Sequence, residues 1–185
     1  MKCPGFTLLE LLIALVVAGC LVWLARPSMQ SLAEQTRTAS RINALVALIR
    51  HARHAAVTTG RWVTVCPAEG ETCLDSQDWA SGIMTFSDTN RDGVRQPAEA
   101  VLAYQAALDP GERLDWRAFR RQNFLQFRVE GYTNWQNGSF RYCPASRDPR
   151  YGKVLIINIQ GRTALSRDSD GDGVDEQANG EPLAC

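Results

Sequence analysis

Hydrophobic and polar positions change their period twice along the chain. From residue 6 to residue 25 the run is apolar apart from Thr7 and one acid, Glu10. At a rise of about 1.5 Å per residue it is long enough to cross a hydrocarbon core of about 30 Å, and it predicts a transmembrane helix. Farther on, Ile42, Leu45, Val46, Ile49, Ala52 and Ala56 recur at spacings of three and four. They form one apolar stripe, which predicts an amphipathic helix that reaches about Thr58 and stops before Gly60. His51 and His54 fall on the opposite face beside Arg50 and Arg53, where solvation is expected and no third metal ligand is near.

From Arg61 onward the pattern switches to short runs rich in β-branched and aromatic residues, separated by Gly, Asn, Asp and Pro clusters. Residues 62–66, 83–86, 101–104, 124–129, 139–142 and 154–159 read as strands. Leu125, Phe127 and Val129 alternate with polar residues, as in an antiparallel sheet with one wet face. The expected architecture is α+β, with that sheet packed on the distal half of the helix.

Glu10 is the first functional residue the pattern singles out. An ionised carboxylate in hydrocarbon costs on the order of 2.5–3.5 kcal/mol, so it marks a function and a partner unless it is simply protonated in the membrane. Lys2 is the single charge before the run and should stay cytoplasmic; Arg26 and Pro27 close the segment, and everything downstream is expected outside the cytoplasm. A different processing signal overlaps this one. Val17-Ala18-Gly19-Cys20 matches a lipoprotein cleavage box, which would remove nineteen residues and lipidate Cys20. Against it, the apolar run continues from Leu21 to Ala25, where a lipoprotein turns polar.

A short basic leader ending in Gly5, then Phe6-Thr7-Leu8-Leu9-Glu10, an apolar helix and Pro27, resembles the type III leader and N-terminal helix of type IV pilins and type II secretion pseudopilins. The resemblance implies that prepilin peptidase cuts between Gly5 and Phe6 on the cytoplasmic side and methylates the new N-terminus at Phe6, while the apolar helix is kept. It also implies that Pro27 kinks the helix near the membrane surface rather than ending it. The Glu10 carboxylate then meets the Phe6 α-amine of a neighbouring subunit, so its burial is tolerable only after docking and it sets the register of assembly. The expected organisation is a leader over 1–5, a helix over 6–58 with 6–25 in the inner membrane, and a periplasmic β-rich domain over 59–185.

At 185 residues and 45% hydrophobic, the chain has length for one domain with a core beside the helix. A formal net charge of zero argues against a strongly basic protein, yet it hides an asymmetry. Between residues 113 and 167 there are eleven Lys or Arg against three acids, whereas 168–181 carries six acids and no base. Of six cysteines, Cys3 would leave with the leader and Cys20 sits in the span as a small apolar residue. Four remain, and in an oxidising compartment they read as two disulfides with three possible pairings. Cys66 with Cys73 closes a short local loop, and Cys143 with Cys185 staples a tail that would otherwise fray. Zinc is the alternative for the four thiols, but their spacing lacks a paired CxxC.

The globular segment sharpens the family. Cys66-Pro67, Cys73, Asp78-Trp79, Gly82, Phe86, Asp88-x-Asn90-x-Asp92-Gly93, Glu99, Tyr142-Cys143-Pro144 and Gly161-Arg162 resemble the globular domain of the GspH/FimT family of minor pilins and minor pseudopilins, nearest its FimU-like branch. This implies a pilin-like α+β fold and a minor pilin that helps prime pilus assembly near the tip. A minor pseudopilin of a type II secretion system is one alternative, and a DNA-binding minor pilin for DNA uptake is the alternative of another class. The partners implied are major and minor pilins or pseudopilins, prepilin peptidase and the inner membrane.

Three polar segments are candidates for chemistry. Asp88 to Gly93 with Glu99 has the spacing of a calcium-binding EF loop, although Pro97 lies inside it and these residues also make ordinary turns. Asp168, Asp170, Asp172 and Asp175 sit in a denser acidic tail that calcium would order; otherwise it is a solvated tail tied down by Cys185. Arg120, Arg121 and Arg162, with Tyr132, Trp135 and Trp116 nearby, could track a phosphate backbone. Some FimT-like members bind DNA through a GRxR motif, but here Gly161-Arg162-Thr163-Ala164 lacks the second Arg and the acidic tail opposes a polyanion. The sequence holds no HExxH, no GxSxG and no phosphate-cradling Gly loop, so an assembly role without enzymatic activity or a required cofactor is expected.

Overall fold

Both helical patterns of the sequence fall in one element, α1 (Leu8–Thr59). The computed structural model describes residues 7–185, the side chains of 21–28 excepted. The backbone stays helical through Pro27, and α1 ends at Gly60, whose φ of 63° is the left-handed stop that glycine accepts without strain. Among the described residues no helix is long and apolar enough to cross a membrane. The span expected over 6–25 includes Phe6 and the 21–25 side chains, which lie outside the described residues. The chain forms two compact units, one ending at Arg37 and the other running over Thr38–Cys185.

In the second unit Ile42, Leu45, Ile49, Ala52 and Ala56 are buried along one side of α1, as their spacing requires. They pack on two antiparallel sheets, where the alternation suggested one. The first runs β2 (Thr72–Cys73), β1 (Val63–Glu69), β3 (Gly82–Ser87) and β4 (Val101–Ala106), with β6 (Leu125–Phe127) pairing β1. The second runs β5 (Arg113–Ala118), β7 (Gly138–Cys143), β8 (Lys153–Ile157) and β9 (Thr163–Leu165). Strands β2, β5 and β9 were not expected. Two of them are too short to show a period, and β5 reads as arginine-rich because Arg113, Asp115 and Arg117 point outward while Leu114 and Trp116 point in. The core joins Val63, Val65, Leu125 and Phe127 of the first sheet to Trp116, Phe140, Leu155 and Ile157 of the second through the helix stripe. Trp79, Trp116 and Phe140 stack with centroids 4.4–6.0 Å apart. Each such side chain contributes roughly 1.5–3 kcal/mol by burial.

The wet face expected for the first sheet is dry. Gln126 and Thr64, the polar members of the alternation, are buried, and the 88–99 loop lies over them. Their amide and hydroxyl both donate to Asp88 Oδ2, at 2.7 and 2.6 Å. Both cystine bridges of the unit are formed: Cys66 to Cys73 beside the β1–β2 turn, and Cys143 to Cys185, which holds the C-terminus on β7.

Polar contacts add direction to the apolar packing of α1. Arg41 reaches Glu112 at 3.0 Å and Asp109 at 2.7 Å, and Tyr142 on β7 donates to the other Glu112 oxygen at 3.0 Å. Burial pushes the Tyr142 phenol well above its ordinary range, with the Glu112 carboxylate adding to the shift, so it stays a neutral donor. The Glu112 carboxylate is fully buried, so Arg41→Ala should destabilise the fold by about 3 kcal/mol, the usual cost of leaving half of a buried pair uncompensated. Chemical denaturation checks this, and Arg41→Lys should recover part of the loss.

Candidate functional site

The first turns of α1 carry an apolar surface with no cover. Leu8, Leu9, Leu11, Leu12, Ile13, Leu15, Val16 and Val17 are all more than half exposed. Eight large apolar side chains in ten residues occupy every face of a helix of 3.6 residues per turn, so this stretch has no polar side to present to water. Glu10 lies among them in the first turn and is exposed. Its backbone N–H donates to Thr7 Oγ1 at 3.3 Å, while its carboxylate has no partner among the described residues. Gly5 and Phe6, the expected cleavage and methylation positions, lie outside the described residues. Cys20 is a free, exposed thiol.

The two acidic loops share one backbone hydrogen-bond pattern and differ in burial, Asp88 being buried and Asp168 exposed. In the 88–99 loop every carboxylate oxygen of the two key acids already accepts a protein hydrogen. Asp88 takes Arg91 N at 2.6 Å on Oδ1 and Gly93 N at 3.0 Å on Oδ2, beside the Thr64 and Gln126 donors. Glu99 takes Thr89 N at 2.7 Å and Gln96 N at 3.0 Å. In this loop the EF-like spacing closes a turn around Asp88, which is buried against Thr64 and Gln126, while Asp92 stays exposed. The Val94 N–H beside Asp92 holds that exposed carboxyl below the ordinary range, with Asn90 and Gln96 side chains assisting.

In the tail, Asp168, Asp170 and Glu176 place one carboxylate oxygen each within 4.8 Å of one another. Asp168 takes Gly171 N at 2.7 Å and Gly173 N at 2.9 Å, and these backbone donors, Gly171 first, hold its carboxyl below the ordinary range. Two residues of the expected ligand set stand elsewhere. Asp175 is turned inward, bonded by Lys153 Nζ at 2.6 and 2.8 Å and by the Ser166 hydroxyl, so Glu176 takes its place in the cluster. Asp172 caps Val174 N at 2.7 Å and is outside the cluster. One residue of register decided which acid turns in, and no spacing rule distinguishes the two.

The expected arginine surface is divided. Arg120 and Arg121 follow β5 and Arg162 precedes β9, at the two edges of the second sheet. Ala118 pairs Gly138, Gly138 pairs Ile157 and Ile157 pairs Thr163, so all three arginines lie at one end of that sheet. With strands about 4.8 Å apart, the width between the edges is about 14 Å. Arg120 lies over Trp135, 5.8 Å from the ring centroid, and Tyr132 and Trp135 are exposed. Trp116, named with them, is fully buried in the core. The helix face bearing Arg50, Arg53 and His54 is not simply solvated: these side chains line a cleft with Gly161 and Arg162. Nothing in a linear pattern brings them together, because the contact depends on where the 128–133 and 158–163 turns fold.

An N-terminal helix packed on antiparallel sheets with two disulfides is the pilin-like class of fold, and comparison with known proteins agrees. Residues 41–161 match the family model described as type II transport protein GspH, and residues 1–25 match the prokaryotic N-terminal methylation motif. The chain belongs to the GspH family. Among solved structures it is similar to the type IV minor pilin FimU of Pseudomonas aeruginosa, at 20% identity and a TM-score of 0.58 over 78% of this chain and 96% of that one. It is also similar to the minor pseudopilin EpsH of the Vibrio cholerae type 2 secretion system, at 13% identity and a TM-score of 0.51 over 69% of this chain and 94% of that one. At these identities the likeness establishes the fold. No curated protein sequence matches the chain.

The saturation of Asp88 has a direct consequence for stability. Asp88→Ala should orphan the buried Thr64 and Gln126 donors and lower stability by about 2–4 kcal/mol, measured by denaturant unfolding. The loss should be the same with calcium or with chelator present, because the carboxylate works as a hydrogen-bond acceptor.

Proposed function

We propose that the protein is a minor pilin acting in type IV pilus assembly, in a priming or tip complex, through its N-terminal helix and its globular head. The observation that carries this reading is the apolar surface of residues 8–17 around a single acid, Glu10, whose carboxylate has no partner among the described residues. Each large apolar side chain left in water forgoes roughly 1.5–3 kcal/mol, so this surface calls for a covering phase. Lipid covers it first, as a single-pass helix of the inner membrane, and neighbouring pilin helices cover it after assembly. Prepilin peptidase cuts between Gly5 and Phe6 and methylates Phe6, whose amine on a neighbouring subunit then receives the Glu10 carboxylate. The β domain, with its two cystines, stands in the periplasm, where thiols oxidise. The work is structural rather than enzymatic. The family description and the Vibrio neighbour support a second reading, a minor pseudopilin of a type II secretion system.

The tail belongs to the same proposal as a calcium site, since three carboxylate oxygens already converge at Asp168, Asp170 and Glu176. Calcium takes six to eight oxygens, and backbone carbonyls and water supply those the cluster lacks.

Intact mass and N-terminal sequencing of the membrane-extracted protein should give N-methylated Phe6 as the first residue; a lipidated Cys20 in that position would sink the proposal. Glu10→Ala should leave insertion and cleavage intact while reducing incorporation into surface pili. Loss of secretion with normal pili in a deletion strain selects the pseudopilin reading instead. Calcium should raise the melting temperature of the detergent-extracted chain, and the Asp168→Ala, Asp170→Ala double variant should lose that rise. An unchanged melting temperature in saturating calcium removes the ion from the proposal and leaves assembly untouched.

A further inference from the structure

The cleft that gathers Arg162 with the helix arginines is built, not incidental. It has a volume of about 710 Å³, and its walls are Val57 on α1 and Thr163 at the start of β9. Arg53 is half-buried at its base, and its Nε donates to Gly131 O at 2.9 Å. That is the one hydrogen bond of its guanidinium among the described residues, so the terminal nitrogens stay free while the side chain is held. Two glycines make room for it. A Cβ on Gly161 would stand 2.6 Å from Gly131 O and 3.0 Å from Arg53 Nε, and a Cβ on Gly131 would stand 2.9 Å from Val57. Both glycines also hold positive φ, 71° and 80°, which side-chain-bearing residues adopt only at a cost.

Charge in the cleft is one-sided. Arg50, Arg53 and Arg162 meet a single acid, Glu130, which already faces Arg128 at 3.8 Å. His54 adds a further nitrogen donor or acceptor on the same helix face. In a chain of zero formal net charge, such an unbalanced group is a local anion site. Guanidinium groups match carboxylates as planar forks, and a held, partly desolvated Arg loses little freedom on pairing.

We propose that this cleft receives a carboxylate-rich peptide segment of a neighbouring subunit, an inference that rests on the assembly role above. Charge complementarity is the argument for that occupant. The chain itself carries a segment of this chemistry in its acidic loop, with six acids over 168–181, of which Asp175 is turned inward to Lys153; among the described residues no ion pair joins any of them to Arg50, Arg53 or Arg162. A polynucleotide is the competing polyanion, and the lining disfavours it: among the described residues no Trp, Tyr or Phe lines the cleft, and His54 is its one ring for base stacking.

The test measures binding of two fluorescent probes to the full chain in a neutral detergent. One is a peptide with the sequence of residues 166–178, and the other is a single-stranded oligothymidine of equal charge. The peptide should bind, weaken as salt rises, and lose affinity by about tenfold or more in the Arg50→Glu, Arg162→Glu variant. Both residues are exposed, so the variant's melting temperature should match that of the parent. The Arg50→Lys, Arg162→Lys variant, which keeps the charge, should retain most of the binding. No peptide binding, peptide binding indifferent to the charge reversal, or tighter binding of the oligothymidine at the same arginines each overturns the proposal. Incorporation of the Glu10→Ala variant into pili, assayed in parallel, separates the two ideas: if that defect persists while the peptide fails to bind, only the cleft's occupant is wrong.

Discussion

The structure depends on one buried stripe, Ile42 through Ala56 on α1, that two sheets share. Neither sheet closes a core alone. Each offers an apolar face to the helix stripe, and the first sheet buries a separate cluster of Cys66, Ala68, Met84 and Phe86 besides, so the sheets are held together through the stripe as much as through each other. The small residues Ala52 and Ala56 of the stripe are fully buried, and the large rings of Trp79, Trp116 and Phe140 pack together in the same core. The charged contacts of Arg41 with Glu112 and Asp109 then fix where along its length the helix sits.

The same helix meets different surroundings at its two ends. Residues 42–56 are amphipathic and find their core within the second unit, whereas the large apolar side chains of 8–17 are exposed among the described residues. One element thus carries both kinds of surface, and Glu10 is the one acid among the apolar residues of the outer stretch.

Polar groups inside the head are placed by hydrogen-bond demand. Asp88, Gln126 and Thr64 form a hydrogen-bonded set under the 88–99 loop, so a sheet face that looks half-polar in sequence is buried. Asp175 is likewise consumed by Lys153 and Ser166, and its neighbour Glu176 is left facing Asp168 and Asp170. The Arg53 cleft follows the same logic in reverse: one nitrogen is satisfied by Gly131 and the rest are left for something else.

How much of this the sequence determined follows from the range of the forces involved. Helix, stripe and six of the strands are local periodicities of burial, so they were legible at 3.6 and 2 residues, and the four distal cysteines paired as short-loop and tail-staple reasoning suggested. The N-terminal motif was legible because a charge in an apolar run is rare on energetic grounds. The edge strand β5 was hidden, since an edge carries charge outward and reads as polar. The division into two sheets, the dry polar face, the inward turn of Asp175 and the meeting of Arg53 with Gly131 and Gly161 were decided only by tertiary structure. Each depends on which distant backbone donor or acceptor lies within about 3 Å once the chain has folded, and hydrogen bonds of that reach leave no periodic trace in the order of residues.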